Sequence, residues 1–478
     1  MKTSQTDRVA SVNCSSCVEK TEPHRTRLLT LLTTGISSFV TPFMSSSINI
    51  ALPAIGKHLN LDAIGIGWLA TSSLLSSAML LLPFGRLADL FSRRRFFATG
   101  LAIYTLASLA ATLANSATIL LLARILQGIA GAMIFSTGVA ILTAAYPRAT
   151  RGWALGINTA ATYFGLSIGP FLGGILTRYL GWRAVFGINL PFSIAALLMT
   201  PLLTGTEPEP RPAEKFDLTG SAIYAAGVFS LMFGLSQIPA RSAILLIPTA
   251  ILTLFAFFFW EHRTKNPIFN FRLFGSNRVF AFSNLAALIN YSATAAVSFL
   301  LSLYLQYLRR LSVTDTGMAL VSQPVVMALF SPFAGRLSDR IEPRLIASFG
   351  MALTALGLFL FALLTPTTPL LVVILGLVLV GFGFALFSAP NTSAVMGAIA
   401  ARDYSIGSAT LATMRLLGQT FSLGIAMMLL SIFVGQTKLT AGVADRLMPV
   451  MRTGFITFSI LCLFGVFASL ARGRRENH

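Results

Sequence analysis

Charge is scarce in this chain. Of 478 residues only 11% are Asp, Glu, Lys or Arg, against 55% hydrophobic, and mean hydropathy is +0.77. A soluble globular domain carries about 25% charged residues, so the composition excludes a water-soluble protein and requires lipid around most of the chain. The alternating segments of ~10 residues that mark a membrane β-barrel are also missing. There are three cysteines and four histidines. Cys14 and Cys17 form one C-x-x-C without a second pair, a weak zinc or redox signal, and Cys462 lies in an apolar run. No H-E-x-x-H and no G-x-S-x-G with supporting partners occurs in the apolar runs, so the chain reads as neither an enzyme nor a metal- or cofactor-binding protein. The first 27 residues have no apolar h-region and read as a polar tail rather than a cleavable signal.

What is abundant is apolar runs of helical length. A helix needs roughly 20 apolar residues to cross the bilayer core. Fourteen spans meet that requirement: 28–53, 64–87, 95–115, 117–146, 152–177, 183–204, 218–238, 242–261, 278–305, 314–335, 344–364, 369–390, 404–434 and 452–471. The fold class expected is therefore an all-α polytopic membrane protein. Its net charge of +19 is carried by loops and not by one helix face. Of the 35 Lys and Arg, 24 fall in the even-numbered loops and both tails and nine in the odd-numbered loops. The positive-inside rule then puts both termini in the cytoplasm and removes the need for a nucleic-acid partner.

The chain repeats itself. "PFGRLADLFSRRR" after span 2 is echoed by "PFAGRLSDRIEPR" after span 10. Span 10 thus matches span 2, and two six-helix halves flank an inserted pair, as in secondary transporters built from repeated halves. The expected divisions are tail 1–27, first bundle 28–204, linker and inserted helices 205–274, second bundle 275–471 and tail 472–478.

"GRLADLFSRRRFF" (Gly85 to Phe97) resembles the loop signature of the major facilitator superfamily. In that resemblance Gly85 allows close helix approach, Asp89 faces the N-terminal end of span 13 and Arg93 and Arg94 fill the basic positions. With Gly335, Asp339 and Arg340 of the second copy they form a conformational latch. Ser92 departs from the pattern, which usually has a glycine there. "LARILQGIAGAM" in span 4 resembles a second signature through Arg124, Gln127, Gly128 and Gly131. "GLSIGPFLGG", with Gly165, Gly169, Pro170, Gly173 and Gly174, is similar to the span 5 signature of the family's exporters. "WRAVFGINLP", "SINIALP" and the count of fourteen spans resemble the drug:proton antiporter branch, of multidrug-efflux type. The resemblance runs from about residue 28 to 471. It implies a plasma- or inner-membrane antiporter, working as a monomer on a small-molecule substrate among lipids, with a coupling ion.

One residue is missing from that pattern. All sixteen acidic residues fall in tails, loops or helix ends, and the four histidines also lie outside the spans. Proton-coupled carriers use a desolvated carboxylate, whose pKa burial raises. In the resembled branch span 1 supplies one five residues before the Asn; here Met44 stands there, before Asn49. Arg124, at similar depth, would be its basic partner. Three roles are open for Arg124: binding an anionic substrate with Arg415, being satisfied by carbonyls or by Ser45, Ser46 and Asn49, or leaving the coupling to a loop carboxylate such as Asp89 or Asp339. Candidate cavity residues are Ser46, Asn49, Trp68, Arg124, Gln127, Asn158, Tyr163, Asn290, Tyr291, Gln323, Arg415 and Gln419; Arg124 could instead snorkel to the outer interface, and each of the others could be interhelical glue worth about 0.6 kcal/mol. The function expected is export of amphipathic small molecules. The alternatives are organic-anion transport around Arg124 and a non-transporting sensor or scaffold.

Overall fold

A computed structural model describes residues 24–61, 63–203, 215–236, 241–265, 267–269, 272–434 and 444–473. Cys14 and Cys17 lie outside them, as does most of the loop between spans 6 and 7. Among the described residues every regular element is helical. In lipid the backbone must satisfy its own N–H and C=O groups, and helices do that within one segment.

The first bundle holds α1 (His24–Leu59), α2 (Ala63–Leu90), α3 (Arg93–Thr112), α4 (Ala117–Ala145) and α5 (Arg148–Tyr179), followed by a sixth crossing broken into α6 (Arg183–Gly187) and α7 (Asn189–Met199). The inserted pair is α8 (Leu218–Ser236) and α9 (Arg241–Arg263), followed by the short α10 (Arg272–Ser276). In the second bundle α11 (Arg278–Thr294) continues through α12 (Val297–Leu303) into a π-helical turn at Tyr304–Leu308. It is completed by α13 (Val313–Arg340), α14 (Pro343–Ala362), α15 (Leu370–Gly397), α16 (Tyr404–Phe433) and α17 (Ala444–Ala471).

Among the described residues thirteen crossings are long and apolar enough to span a bilayer. The fourteenth is α3, whose run opens on Arg93, Arg94 and Arg95, and which packs between α4 and α7 as a crossing helix must. The expected spans match these helices, with real helices overrunning the apolar core. α1 has 36 residues, roughly 54 Å of helix at 1.5 Å per residue. Ser92, the departure from the loop signature, is extended (φ −150°) and its Oγ accepts from the Arg95 N–H at 3.2 Å, capping α3. No glycine is needed there.

α1 packs on α5 and α7, α2 on α4, and α3 on α4 and α7; in the second half α14 packs on α15 and α17, α13 on α15, and α11 on α16 and α17. The halves meet along α5–α13, α2–α16, α4–α16 and α5–α15. The inserted helix α8 packs against α9 and touches both halves through α2 and α16. Within the first bundle the glycines of α5 admit α1: a Cβ at Gly165 would lie 2.6 Å from the Phe39 carbonyl oxygen, and one at Gly173 2.9 Å from the Ser47 Cα. Gly174 has only Ile50 Cγ2, at 3.8 Å, and Pro170 is carried inside the continuous α5.

Candidate transport cavity and its closed end

The two bundles enclose a cavity of about 600 Å³. Its walls come from α1, α2, α5, α8, α11, α12, α13, α15 and α16, with α4 contributing none. Leu74, Met232, Phe233, Met327, Phe384 and Met427 supply apolar surface. Asn49, Tyr163, Tyr291, Gln323 and Gln419 supply hydrogen-bonding groups, and among the described residues no lining side chain is charged. Where the helices converge, the Tyr163 hydroxyl lies 3.4 Å from the Tyr291 hydroxyl and 3.3 Å from Ser388 Oγ. The Phe384 ring meets both tyrosines edge-on, at 5.7 and 5.2 Å. Gln323 is buried and its Oε1 has no partner among the described residues. An unpaired buried amide oxygen costs about 1–3 kcal/mol.

Five of the twelve expected cavity residues line it, namely Asn49, Tyr163, Tyr291, Gln323 and Gln419. The others are elsewhere. Arg124 is inside the first bundle at 2% exposure, where its Nε donates to the Leu69 carbonyl at 3.2 Å and its Nη1 to Gln127 Oε1 at 2.9 Å. Gln127 in turn donates to Ser108 Oγ at 3.0 Å. Of the three roles open for Arg124, this geometry matches satisfaction by a carbonyl, supplied by Leu69 and not by Ser45, Ser46 or Asn49. Ser46 Oγ donates to the Phe43 carbonyl and reaches that of Gly165. Asn158 Oδ1 accepts from Ser38 Oγ at 2.9 Å, Asn290 is fully buried, and Trp68 stacks on Phe233 at 5.4 Å. Arg415 adjoins the wall through Tyr291, its guanidinium 5.2 Å from that ring's centroid. Met44 is 2% exposed and receives the Asn189 amide at 3.1 Å from its sulfur. The acid's position is thus an ordinary core position of the first bundle.

The sequence reading overlooked Phe233, Met232, Thr71, Thr294 and Phe384. The omission of α8 had a cause: the inserted pair has no counterpart in the repeat, so symmetry offered no reason to place it on the cavity.

At the other end of the same helices the bundles are clamped together twice. Asp89, in the last turn of α2, accepts the backbone N–H groups of Ser405 (3.1 Å) and Ile406 (2.9 Å) at the start of α16. The exposed N–H groups of a helix N-terminus are a natural seat for a carboxylate. Arg93 Nε donates to Asp89 at 2.9 Å and to Ser405 Oγ at 2.9 Å, and its Nη2 also reaches the Ala401 carbonyl at 2.6 Å. Gly85 allows this approach, since a Cβ there would sit 2.6 Å from that of Ala409. In the second copy Asp339 accepts the N–H groups of Gly152 (2.7 Å) and Trp153 (2.9 Å) near the start of α5. Gly335 and Gly152 face each other so closely that a Cβ on Gly335 would lie 2.1 Å from the Gly152 oxygen. Two expected latch arginines are placed differently. Arg94 donates to the Thr200 carbonyl at 3.0 Å and to that of Pro201, tying α3 to the end of α7, and Arg340 is exposed.

Every described acidic residue sits at a helix end: Asp89, Asp217, Glu261, Asp315, Asp339, Glu342, Asp403 and Asp445. Asp7, Glu19, Glu22, Asp62, Glu207, Glu209, Glu214 and Glu476 lie outside the described residues.

If Arg124 serves the bundle and not the substrate, Arg124→Ala should leave the apparent affinity for substrate within about twofold. Stability should instead fall by about 1–3 kcal/mol, since Gln127 and the Leu69 carbonyl lose their donor. Transport kinetics and thermal unfolding in detergent measure the two effects separately. A tenfold weakening of affinity at unchanged stability would return Arg124 to the substrate.

Known proteins agree with this architecture. The profile of the Major Facilitator Superfamily matches residues 34–283 and 283–478. The riboflavin transporter RibZ of Clostridioides difficile is 29% identical over 403 residues, 83% of this chain and 86% of its own. The cephamycin export protein CmcT of Amycolatopsis lactamdurans is 33% identical over 429 residues, 87% of this chain and 88% of its own. Among solved structures, the human organic anion transporter MFSD10 (TETRAN) covers 94% of this chain and 100% of its own with a TM-score of 0.67 at 18% identity, a likeness of fold alone. A cavity between two repeated bundles, clamped at one end by two helix-end carboxylates, and a family match over both halves make this chain a member of the Major Facilitator Superfamily, a multi-pass membrane transporter and not an enzyme.

Proposed function

We propose that the protein exports uncharged or weakly polar amphipathic small molecules with aromatic character, by alternating access, across the plasma membrane. The observation that carries this reading is the lining of the cavity. Aromatic rings and methionines make adaptable apolar contacts. Asn49, Gln323 and Gln419 offer hydrogen bonds without charge, and among the described residues no lining cation or anion is present to select an ion. The relatives' names fit small-molecule traffic, one riboflavin transport and another cephamycin export. With the basic loops in the cytoplasm, the clamped end faces inward and the cavity faces outward. Both termini then lie in the cytoplasm, and one chain is the working unit. Rocking of the bundles would break the Asp89 and Asp339 contacts and open the inner side.

Coupling through a helix-1 carboxylate is not available to this chain, because Met44 occupies that position and packs in the core. Uptake and efflux of a neutral fluorescent amphiphile in proteoliposomes, with pH gradient and membrane potential imposed separately, tests the reading. We expect saturable transport that organic anions do not inhibit. Transport that runs only on organic anions would overturn the substrate class, and strict dependence on the pH gradient would assign coupling to a carboxylate outside helix 1, such as Asp89 or Asp339. Met44→Asp would restore a carboxylate in the first bundle, and it is the variant in which dependence on the pH gradient is expected to appear.

A further inference from the structure

On the outside of the second bundle, away from the cavity, a groove of about 560 Å³ runs between α13 and α15 at the clamped end. Its floor is Ala334 and Leu386, both buried, and its walls are Phe330, Phe333, Leu337 and Phe382. Phe330 and Phe382 meet edge-to-face at 4.9 Å. At one end of this apolar trough stand Arg336 and Arg340, both exposed. They are four residues apart and so share one side of the helix, in the final turns of α13. Neither forms an ion pair with a described carboxylate. Arg336 lies over the Trp153 ring at 5.8 Å.

Snorkelling toward water would account for two arginines at a helix end. It does not account for a trough lined by the exposed Phe330 and Phe333 and the half-buried Phe382 that leads to them. That combination, guanidinium groups at headgroup depth above an apolar channel, matches one molecule with a phosphate and a long hydrocarbon chain. Guanidinium groups favour phosphate oxygens through paired N–H donors, and basic pockets at the membrane boundary take anionic headgroups. Two arginines with no ion pair to a described carboxylate favour a lipid with net negative charge over a zwitterionic one. We propose that this groove binds one anionic phospholipid, its phosphate held between Arg336 and Arg340 and one acyl chain lying along Phe330, Phe333 and Phe382.

The test is native mass spectrometry of the delipidated full-length protein with dioleoyl phosphatidylglycerol or dioleoyl phosphatidylcholine added at equal concentration. One phosphatidylglycerol should be retained in preference, and R336Q/R340Q should lower that retention by at least about fivefold, since each basic group at a membrane surface contributes about 1 kcal/mol toward an anionic lipid. R336K/R340K should keep most of it, because charge is preserved while the paired donors are lost. Arg340→Gln alone, at an exposed position, gives the same reading at smaller amplitude should the double variant not fold. Equal retention of the two lipids, or phosphatidylglycerol retention unchanged in R336Q/R340Q or in Arg340→Gln, would overturn the proposal.

Discussion

Asp89→Ala should lower transport at least tenfold while the protein still reaches the membrane. Three partners converge on this carboxylate: the N–H groups of Ser405 and Ile406 and the guanidinium of Arg93. Arg93 is itself only 3% exposed, so alanine leaves a buried cation without its counter-charge. Removing one partner of such a pair costs about 3–5 kcal/mol. Much of that cost falls on the conformation in which α2 meets α16, because the contact spans the two bundles. A bias of about 3 kcal/mol shifts a two-state equilibrium on the order of a hundredfold, which depletes the state with the cavity open at the other end. Asp89→Asn keeps the shape and one acceptor oxygen but not the charge, and it should fall between alanine and the parent. Spin labels at the exposed Phe91 and Arg402, one on each side of the contact, should report a longer distance in Asp89→Ala. Parental transport together with an unchanged distance would remove Asp89 from the cycle.

Gly152→Val should be as damaging, for a steric reason. A Cβ at Gly152 would lie 2.4 Å from the Gly335 backbone oxygen, 2.4 Å from Ser338 Oγ and 2.6 Å from Asp339 Oδ1. The hydroxyl could rotate away, but the carbonyl cannot, so α5 and α13 must separate. Their separation also withdraws the Gly152 and Trp153 N–H groups from Asp339. Overpacking of this kind costs about 1–3 kcal/mol or more, again charged to the clamped conformation. Transport should fall at least about tenfold in Gly152→Val and by a smaller factor in Gly152→Ala. Gly35→Ala, where a Cβ meets nothing within 4 Å, is the control and should transport as the parent does. Parental activity in Gly152→Val would mean that this glycine contact does not govern closure.

The sequence by itself determined the helices, their number and their repetition. Hydropathy is a sum along the chain, and each apolar run must become a helix because lipid offers no other partner for its backbone. Gly85 and Asp89, echoed at Gly335 and Asp339, pointed to the contact between halves through their resemblance to the family's loop signature. The structure supplies the physical reason, since each carboxylate is received by backbone N–H groups at the start of a neighbouring helix. Met44 was legible too, since the absence of an acid is a property of the string.

Which polar residues face the cavity was decided only by the tertiary structure. That choice depends on the rotation of each helix about its axis and on which neighbour it meets. A rotation of one residue, 100°, moves a side chain from cavity to core. Arg124 and Gln127 looked like cavity groups because a charge within an apolar run needs a partner, yet the partner is the Leu69 carbonyl one helix away. Phe233, which the sequence reading did not single out, is cavity wall because α8 bridges α2 and α16. Local sequence fixes a helix's length and its ends. Only the packing of all the helices together fixes which of its faces does the work.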